Sequence, residues 1–395
     1  MRQDPIAVTG MGVISALGRG PDDTFTALQA QRTGLGPLSI FSSARWGHIP
    51  VGQVPSHFHI PSGDSRSMAL ACAGARDACL NAGLDELPSA EREKTAVVLG
   101  ACTGGMLESE EFLRELLQVG QSDIRRLRHH TCANATESVA RRLGLNGQRL
   151  TVSDACASGA TAITMACEMI ASGEESVALA GGVDTLTRLT LNGFCSLLVV
   201  ADDGCRPFDA QRKGMSLGEG AAFLTLESRR HALARGARIH GYVAGWACSC
   251  DAYHPTAPDP SGDGAFRAMQ GALAMAGRQP GDVNYVNAHG TGTIDNDLAE
   301  AAAFRRLFGE RVPMVSSTKR FFGHALAAAG AIEAVVCLLA MRHQAVPANL
   351  GLRQVDERVA FRPVVAPSPA SVDVAMSNSF GFGGTNCCLV FSRAT

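Results

Sequence analysis

Short, continuously apolar runs alternate along this chain with longer segments of helical periodicity, and that alternation limits its folds more than any other feature. The candidate strands are Ile6–Val8, Ala96–Leu99, Leu150–Val152, Val177–Ala180, Ala222–Leu226, Val283–Val286, Met314–Ser316, Val374–Met376 and Cys388–Phe391. Several are apolar throughout and bounded by glycine or charge, as strands buried on both faces are. Between them the pattern predicts helices over Ser67–Ala82, Glu108–Gln118, Ser158–Ala171, Gly264–Ala276, Leu298–Phe308 and His324–Met341. Strands buried on both faces need helices on both sides, so an α/β architecture of layered, mostly parallel sheets follows. A weak echo joins the halves. Leu150–Val152 leads through Cys156 into a helix, and Met314–Ser316 leads through Lys319 and His324 into another.

The composition suits such a fold. Of 395 residues, 46% are hydrophobic and 18% charged, with 43 glycines and few aromatics, an ordered profile rich in small residues. A net charge of −2 gives no overall field for nucleic acid or an anionic membrane. Thirteen cysteines, without Cys-x-x-Cys pairs, read as reduced thiols and neither a disulfide frame nor a zinc site. The opening MRQDPIAVTGMGVIS lacks a signal-peptide stretch, and no run approaches membrane-spanning length, so a cytoplasmic location without membrane insertion is expected.

Three segments carry chemistry. In TVSDACASGATAITMACEMIASG, the helix after Ser158 is apolar on nearly every face and must be buried. Cys156 is expected at its N-terminus, where exposed N–H groups would lower the thiol pKa and could stabilise an oxyanion. The alternative is one more small buried thiol. In VNYVNAHGTGTIDNDLAEA, His289 follows a strand in a glycine- and threonine-rich turn, the end of an α/β sheet where ligands bind. There it could donate to a carbonyl oxygen while Thr291 and Thr293 hold a polar arm; otherwise it is a turn histidine. In VSSTKRFFGHALAAAGAIEA, His324 is expected to open a helix of alanines and to stay neutral at its N-terminus. Lys319 and Glu333 are charges that a buried site would have to pair. Only Lys94, Lys213 and Lys319 are lysines among 35 Lys and Arg residues, which weakens the reading of Lys319 as an ordinary loop residue. The glycine-rich SNSFGFGGTN, taken alone, is a hairpin.

Together these segments resemble the elongating β-ketoacyl–acyl carrier protein synthases, including the type II polyketide ketosynthases. The likeness runs from AVTGMGVISALG through DACASGA, GVDTLT, RPFDAQRKGMSLGEGAAFLTLE, DAYH, NAHGTGT and SSTKRFFGHALAAAGAIE to NSFGFGGTN. The resemblance implies a thiolase-like five-layered αβαβα fold of two pseudo-repeated halves. Residues 1–240 would carry the nucleophilic cysteine, and 241–395 the histidines and lysine. It implies Cys156 as the acyl acceptor, His289 and His324 as stabilisers of the malonyl enolate, and Lys319 with its partner Glu333 as the electrostatic frame. The N–H groups of Cys156 and Phe382 would form the oxyanion hole. Phe382 would also be a mobile gate, with Thr291 and Thr293 on the pantetheine arm.

No metal or cofactor is implied, since substrates ride on the phosphopantetheine of an acyl carrier protein. The implied assembly is a homodimer or a heterodimer with a similar ketosynthase or chain-length subunit. Arg125, Arg126 and Arg128 are the candidate carrier-docking patch. Departures from the family pattern at Arg320-Phe321-Phe322, Ala327-Ala328 and the short stretch Gly193–Phe208 bear on the pocket entrance and acyl preference. With the HGTGT turn, that short stretch leans toward polyketide or polyene over fatty acid synthesis. A coenzyme A thiolase would need a second catalytic cysteine in a Cys-x-Gly context, and an initiating enzyme an asparagine in place of His324. A subunit that needs a non-catalytic chain-length partner is a further alternative.

Overall fold

The computed structural model describes residues 5–394. Ten strands build its framework: β1 Ile6–Ser15, β2 Ala96–Gly100, β3 Arg149–Val152, β4 Val177–Asp184, β5 Gly220–Ser228, β6 Gly241–Cys250, β7 Tyr285–Asn287, β8 Met314–Ser316, β9 Val374–Gly381 and β10 Thr385–Ser392. The first five lie in the order β1-β5-β4-β2-β3, and the second five repeat it as β6-β10-β9-β7-β8. In each set the first two pairings are antiparallel and the last two parallel. The sets join where Ile6–Val8 pairs with Gly241–Val243.

The helices that matter are α1 Arg66–Ala82, α2 Met106–Val119, α3 Ala133–Leu143, α4 Ser158–Ala171, α5 Arg188–Ser196, α6 Asp263–Ala276, α7 Ile294–Phe308 and α8 Ala329–His343. α1 and α3 cover the outer face of the first five strands, and α6 and α7 that of the second five. α4 and α8 pack together between the two five-stranded sets, completing five layers. Every residue from Ala329 to Met341 is buried. The stretch Leu326–His343 has the length and apolarity of a membrane span, contrary to the expectation that no run approaches it, yet 89% of it is buried inside the protein. Its apolar faces are spent on the strands of both sets.

Glycine makes the close layering possible. A Cβ on Gly10 would lie 2.1 Å from the Ala78 carbonyl and one on Gly12 2.0 Å from that of Gly74, so α1 rests directly on the backbone of β1. Ser65 caps α1 by accepting from Met68 N, and Gly83 ends it in the left-handed region. Four elements differ from expectation: β6 is absent from the predicted strands, α3 and α5 are absent from the predicted helices, and α8 begins at Ala329, five residues after His324. The pairing is also not mostly parallel, because the strands at the centre of the framework meet antiparallel.

Candidate active site

Cys156 lies in a single 3₁₀ turn, Ala155–Ala157, between β3 and the first residue of α4. Ser158 folds that turn: its hydroxyl accepts from Asp154 N at 2.7 Å and donates to the Ala155 carbonyl at 2.6 Å. Ala155 has a φ of 46°, a strained backbone for a residue with a side chain. Gly381 comes so near that a Cβ on it would sit 3.1 Å from Cys156 N. That approach brings the N–H of Phe382, with the N–H of Cys156 itself, into hydrogen-bond reach of the sulfur.

The expected low thiol pKa is not found. Cys156 is only 6% exposed, and burial pushes its thiol up to about 12. Lys319 and the two N–H groups pull it down, and the buried charge of Asp184 pushes it further up. Desolvation of a thiolate outweighs the dipoles of one turn, and the helix proper starts only at Ser158. The resting cysteine is therefore a thiol.

His289 leaves β7 in a turn pinned from two sides. Glu300 of α7 accepts from His289 N at 2.9 Å and Gly290 N at 2.8 Å, and Ser317 Oγ donates to the Gly290 carbonyl. His324 is fixed by its backbone, donating to Ser216 O at 2.6 Å and accepting from Gly218 N at 2.9 Å. The two imidazoles meet edge to face, with ring centroids 5.4 Å apart. Both are held well below the ordinary histidine range by burial and then by the charge of Lys319. The expectation that His324 is neutral agrees with this, but the cause is desolvation and not a helix end.

Lys319 is fully buried, with Nζ 2.6 Å from Glu333 Oε1 and 3.4 Å from His289 Nδ1. An ammonium can only donate, so Nδ1 accepts and the neutral ring of His289 carries its proton on Nε2. Among the described residues, none hydrogen-bonds either ring nitrogen of His324. Burial lifts the Glu333 carboxyl and the adjacent ammonium opposes it.

Cys156, His289, His324, Thr291, Thr293 and Phe382 line one cavity of about 80 Å³. Thr291 and Thr293 hydroxyls contact each other at 2.8 Å on its wall. Phe382 stacks on Phe194 of α5 at 5.4 Å. Lys319 and Glu333 stand behind the histidines.

Arg125, Arg126 and Arg128 lie elsewhere, around the turn Ile124–His129. Arg125 pairs with Asp123, Arg126 with Glu115, and Arg128 donates to Gly63 O, so the patch is interleaved with acids. Sequence reasoning missed Glu300, which accepts from Asn378 Nδ2 as well as the His289 turn, and Asp184, which accepts from Thr103 N and Ala327 N. Their signal was an acid inside an otherwise apolar or alanine-rich stretch.

The chain is similar to known proteins along nearly all of its length. Residues 3–232 match the family described as "Beta-ketoacyl synthase, N-terminal domain", and residues 240–353 match "Beta-ketoacyl synthase, C-terminal domain". The 3-oxoacyl-[acyl-carrier-protein] synthase 2 of Synechocystis sp. is 35% identical over 98% of both chains. A solved structure titled as the ishigamide ketosynthase/chain length factor superposes with a TM-score of 0.94 at 34% identity, covering 100% of both chains. A second, a type II PKS acyl-carrier protein in complex with its ketosynthase bound to the hexaketide, gives 0.92 at 26% identity over 100% of both.

Proposed function

The chain belongs to the β-ketoacyl synthase family, and on that premise we propose that it lengthens an acyl group held on Cys156 with two carbons from a malonyl group on an acyl carrier protein. As a family member it is a condensing enzyme of the acyltransferase class. The observation that carries the residue assignment is the meeting of one thiol, two neutral imidazoles and two inward N–H groups in one small cavity.

In the first half-reaction the Cys156 sulfur attacks the carrier thioester, and its proton leaves with the carrier thiol. The N–H groups of Cys156 and Phe382 receive the oxyanion of the tetrahedral intermediate. In the second, the malonyl carboxylate departs as carbon dioxide and its bonding pair becomes an enolate. His289 Nε2–H and a ring N–H of His324 donate to the enolate oxygen, so no strong base is needed. The enolate carbon attacks the Cys156 thioester, and the released thiolate recovers a proton from solvent. A thiol of high pKa regains that proton readily.

The cavity is small, about 80 Å³, and Phe382 on its wall is held by stacking on Phe194. This supports Phe382 as a gate. The hydroxyls of Thr291 and Thr293 are placed to meet the arm.

A partner subunit of the same fold is supported by two surfaces. β3 is an edge strand. Leu113, Leu117 and Val119 of α2, with Ile124 beyond it, are exposed apolar residues. The partner is a second copy or a similar ketosynthase or chain-length chain. Within the chain, residues 1–240 and 241–395 form the two catalytic halves, and the enzyme acts in the cytoplasm. The HGTGT turn and the short Gly193–Phe208 segment favour polyketide or polyene over fatty acid synthesis. Arg125, Arg126 and Arg128 remain the carrier-docking proposal, with charge reduced by their own acidic neighbours.

The half-reactions separate the roles. His324→Ala should still accept an acyl group on Cys156 but decarboxylate malonyl carrier protein on the order of a hundredfold more slowly. Equal loss in both half-reactions would make His324 a structural residue.

A further inference from the structure

β6 and β10 are antiparallel neighbours, and their register sets Cys248 directly opposite Cys387. Directly opposed residues in such a pair have Cα atoms about 4.5 or 5.5 Å apart and side chains on one face. Both separations fall inside the range of about 4.4 to 6.8 Å that a disulfide spans. Thr164 Oγ1 of α4 approaches Cys387 Sγ at 3.4 Å on that face. Cys248 is exposed and Cys387 buried beneath it. The side chain of Cys387 holds the Cys248 thiol below its usual pKa, whereas Cys387 is raised. One thiol is thus reachable and reactive, and the second is close enough to resolve it.

The pair stands at the root of two loops over the active site. β10 begins immediately after the loop that carries Phe382, and β6 ends one residue before Asp251. Asp251 N donates to Gly384 O at 2.8 Å, Gly383 N to Pro255 O at 2.8 Å, and Asn386 Nδ2 to Asp251 Oδ1 at 2.7 Å. Phe382 in one loop and Thr256 and Pro258 in the other line the cavity around Cys156.

We infer that Cys248 and Cys387 form an oxidisable site, closed to a cross-strand disulfide by hydroperoxides, that restrains the two loops and slows acyl entry to Cys156. The Cys248 thiolate attacks the peroxide oxygen, the O–O bond breaks, and hydroxide leaves behind a sulfenic acid. The Cys387 sulfur then attacks the Cys248 sulfur, the S–O bond breaks, and the hydroxyl leaves as water with the Cys387 proton. Two thiols and one hydrogen peroxide become a disulfide and two waters. Dithiothreitol reverses the link.

The test treats the whole enzyme with stoichiometric hydrogen peroxide, maps peptides without reduction, and follows acyl transfer to Cys156. The expected result is one cross-linked peptide joining Cys248 to Cys387, with loss of most of the acyl-transfer rate and recovery on adding dithiothreitol. Cys248→Ser, at an exposed position outside the catalytic groups, should keep the reduced enzyme's rate and resist peroxide. A rate loss that persists in Cys248→Ser, absence of the cross-link, or a cross-link that leaves the rate unchanged would each overturn the inference. The peptide map does not depend on the condensing chemistry, so failure here is distinct from failure of that reading.

Discussion

Lys319 and Glu333 face each other at 2.6 Å with no exposure to solvent, and this pair sets the charge around both histidines. Removing one member strands the other in a medium that cannot solvate it. Glu333→Gln should therefore cost about 3–5 kcal/mol of stability, while Lys319→Met with Glu333→Leu should cost less than the sum of the two single changes. Urea denaturation of the parent and the four variants checks this, and simple additivity would deny the coupling. The neutral histidines give a second expectation. Because burial and Lys319 lower the His289 and His324 pKa values well below 6.5, both stay unprotonated as pH falls through 6.5. The decarboxylation rate should show no inflection there; an acid limb centred near 6.5 would mean ordinary imidazoles. At this scale the sequence was informative about identity and poor about environment. Cys156, His289, Lys319 and His324 stood out by motif, but the raised thiol of Cys156 depends on burial in a cluster with Leu186, Met215 and Leu326, distant in sequence.

At the scale of elements, the site depends on how closely α4 and β4 meet the turn after His324. A Cβ on Gly159 would lie 2.5 Å from the Ala327 carbonyl, and one on Gly182 would lie 2.3 Å from the same oxygen. Alanine for Gly159 gains about 1 kcal/mol of helix propensity. It also overpacks against a backbone oxygen that cannot rotate away, at about 1–3 kcal/mol. The strain should win. Gly159→Ala should be less stable than the parent on chemical denaturation and should slow decarboxylation more than acylation, because Ala327 follows His324 closely. An equally stable variant would show the turn to be pliant. Continuous apolar runs such as Ala96–Leu99 and Val177–Ala180 were legible because both faces are buried. β6 was not, since its outer half alternates partly exposed small residues and ends in Cys-Ser-Cys. The start of α8 was misplaced because His324-Ala-Leu-Ala-Ala reads as helix by composition. In the fold His324 is held by Ser216 and Gly218, and Leu326 takes a φ of 49°.

Across the whole molecule, the echo between DACASGA and STKRFFGH becomes two five-stranded sets with the same strand order and the same pattern of directions. Each half delivers its reactive groups from the end of a strand next to a central helix, Cys156 before α4 and Lys319 and His324 before α8. Neither half holds the cavity alone. The pairing of the halves and the cavity's small volume were not legible, because they arise from contacts between distant segments. The central claim is that the first half's cysteine is the acyl acceptor and the second half's groups act on what it holds. Intact-mass and peptide-mapping spectrometry after incubation with a panel of acyl carrier proteins tests it most directly. The account predicts one acyl group, on Cys156 alone among the thirteen cysteines, and none on Cys156→Ala of unchanged fold. An acyl group found on another cysteine, or still acquired by Cys156→Ala, would contradict it.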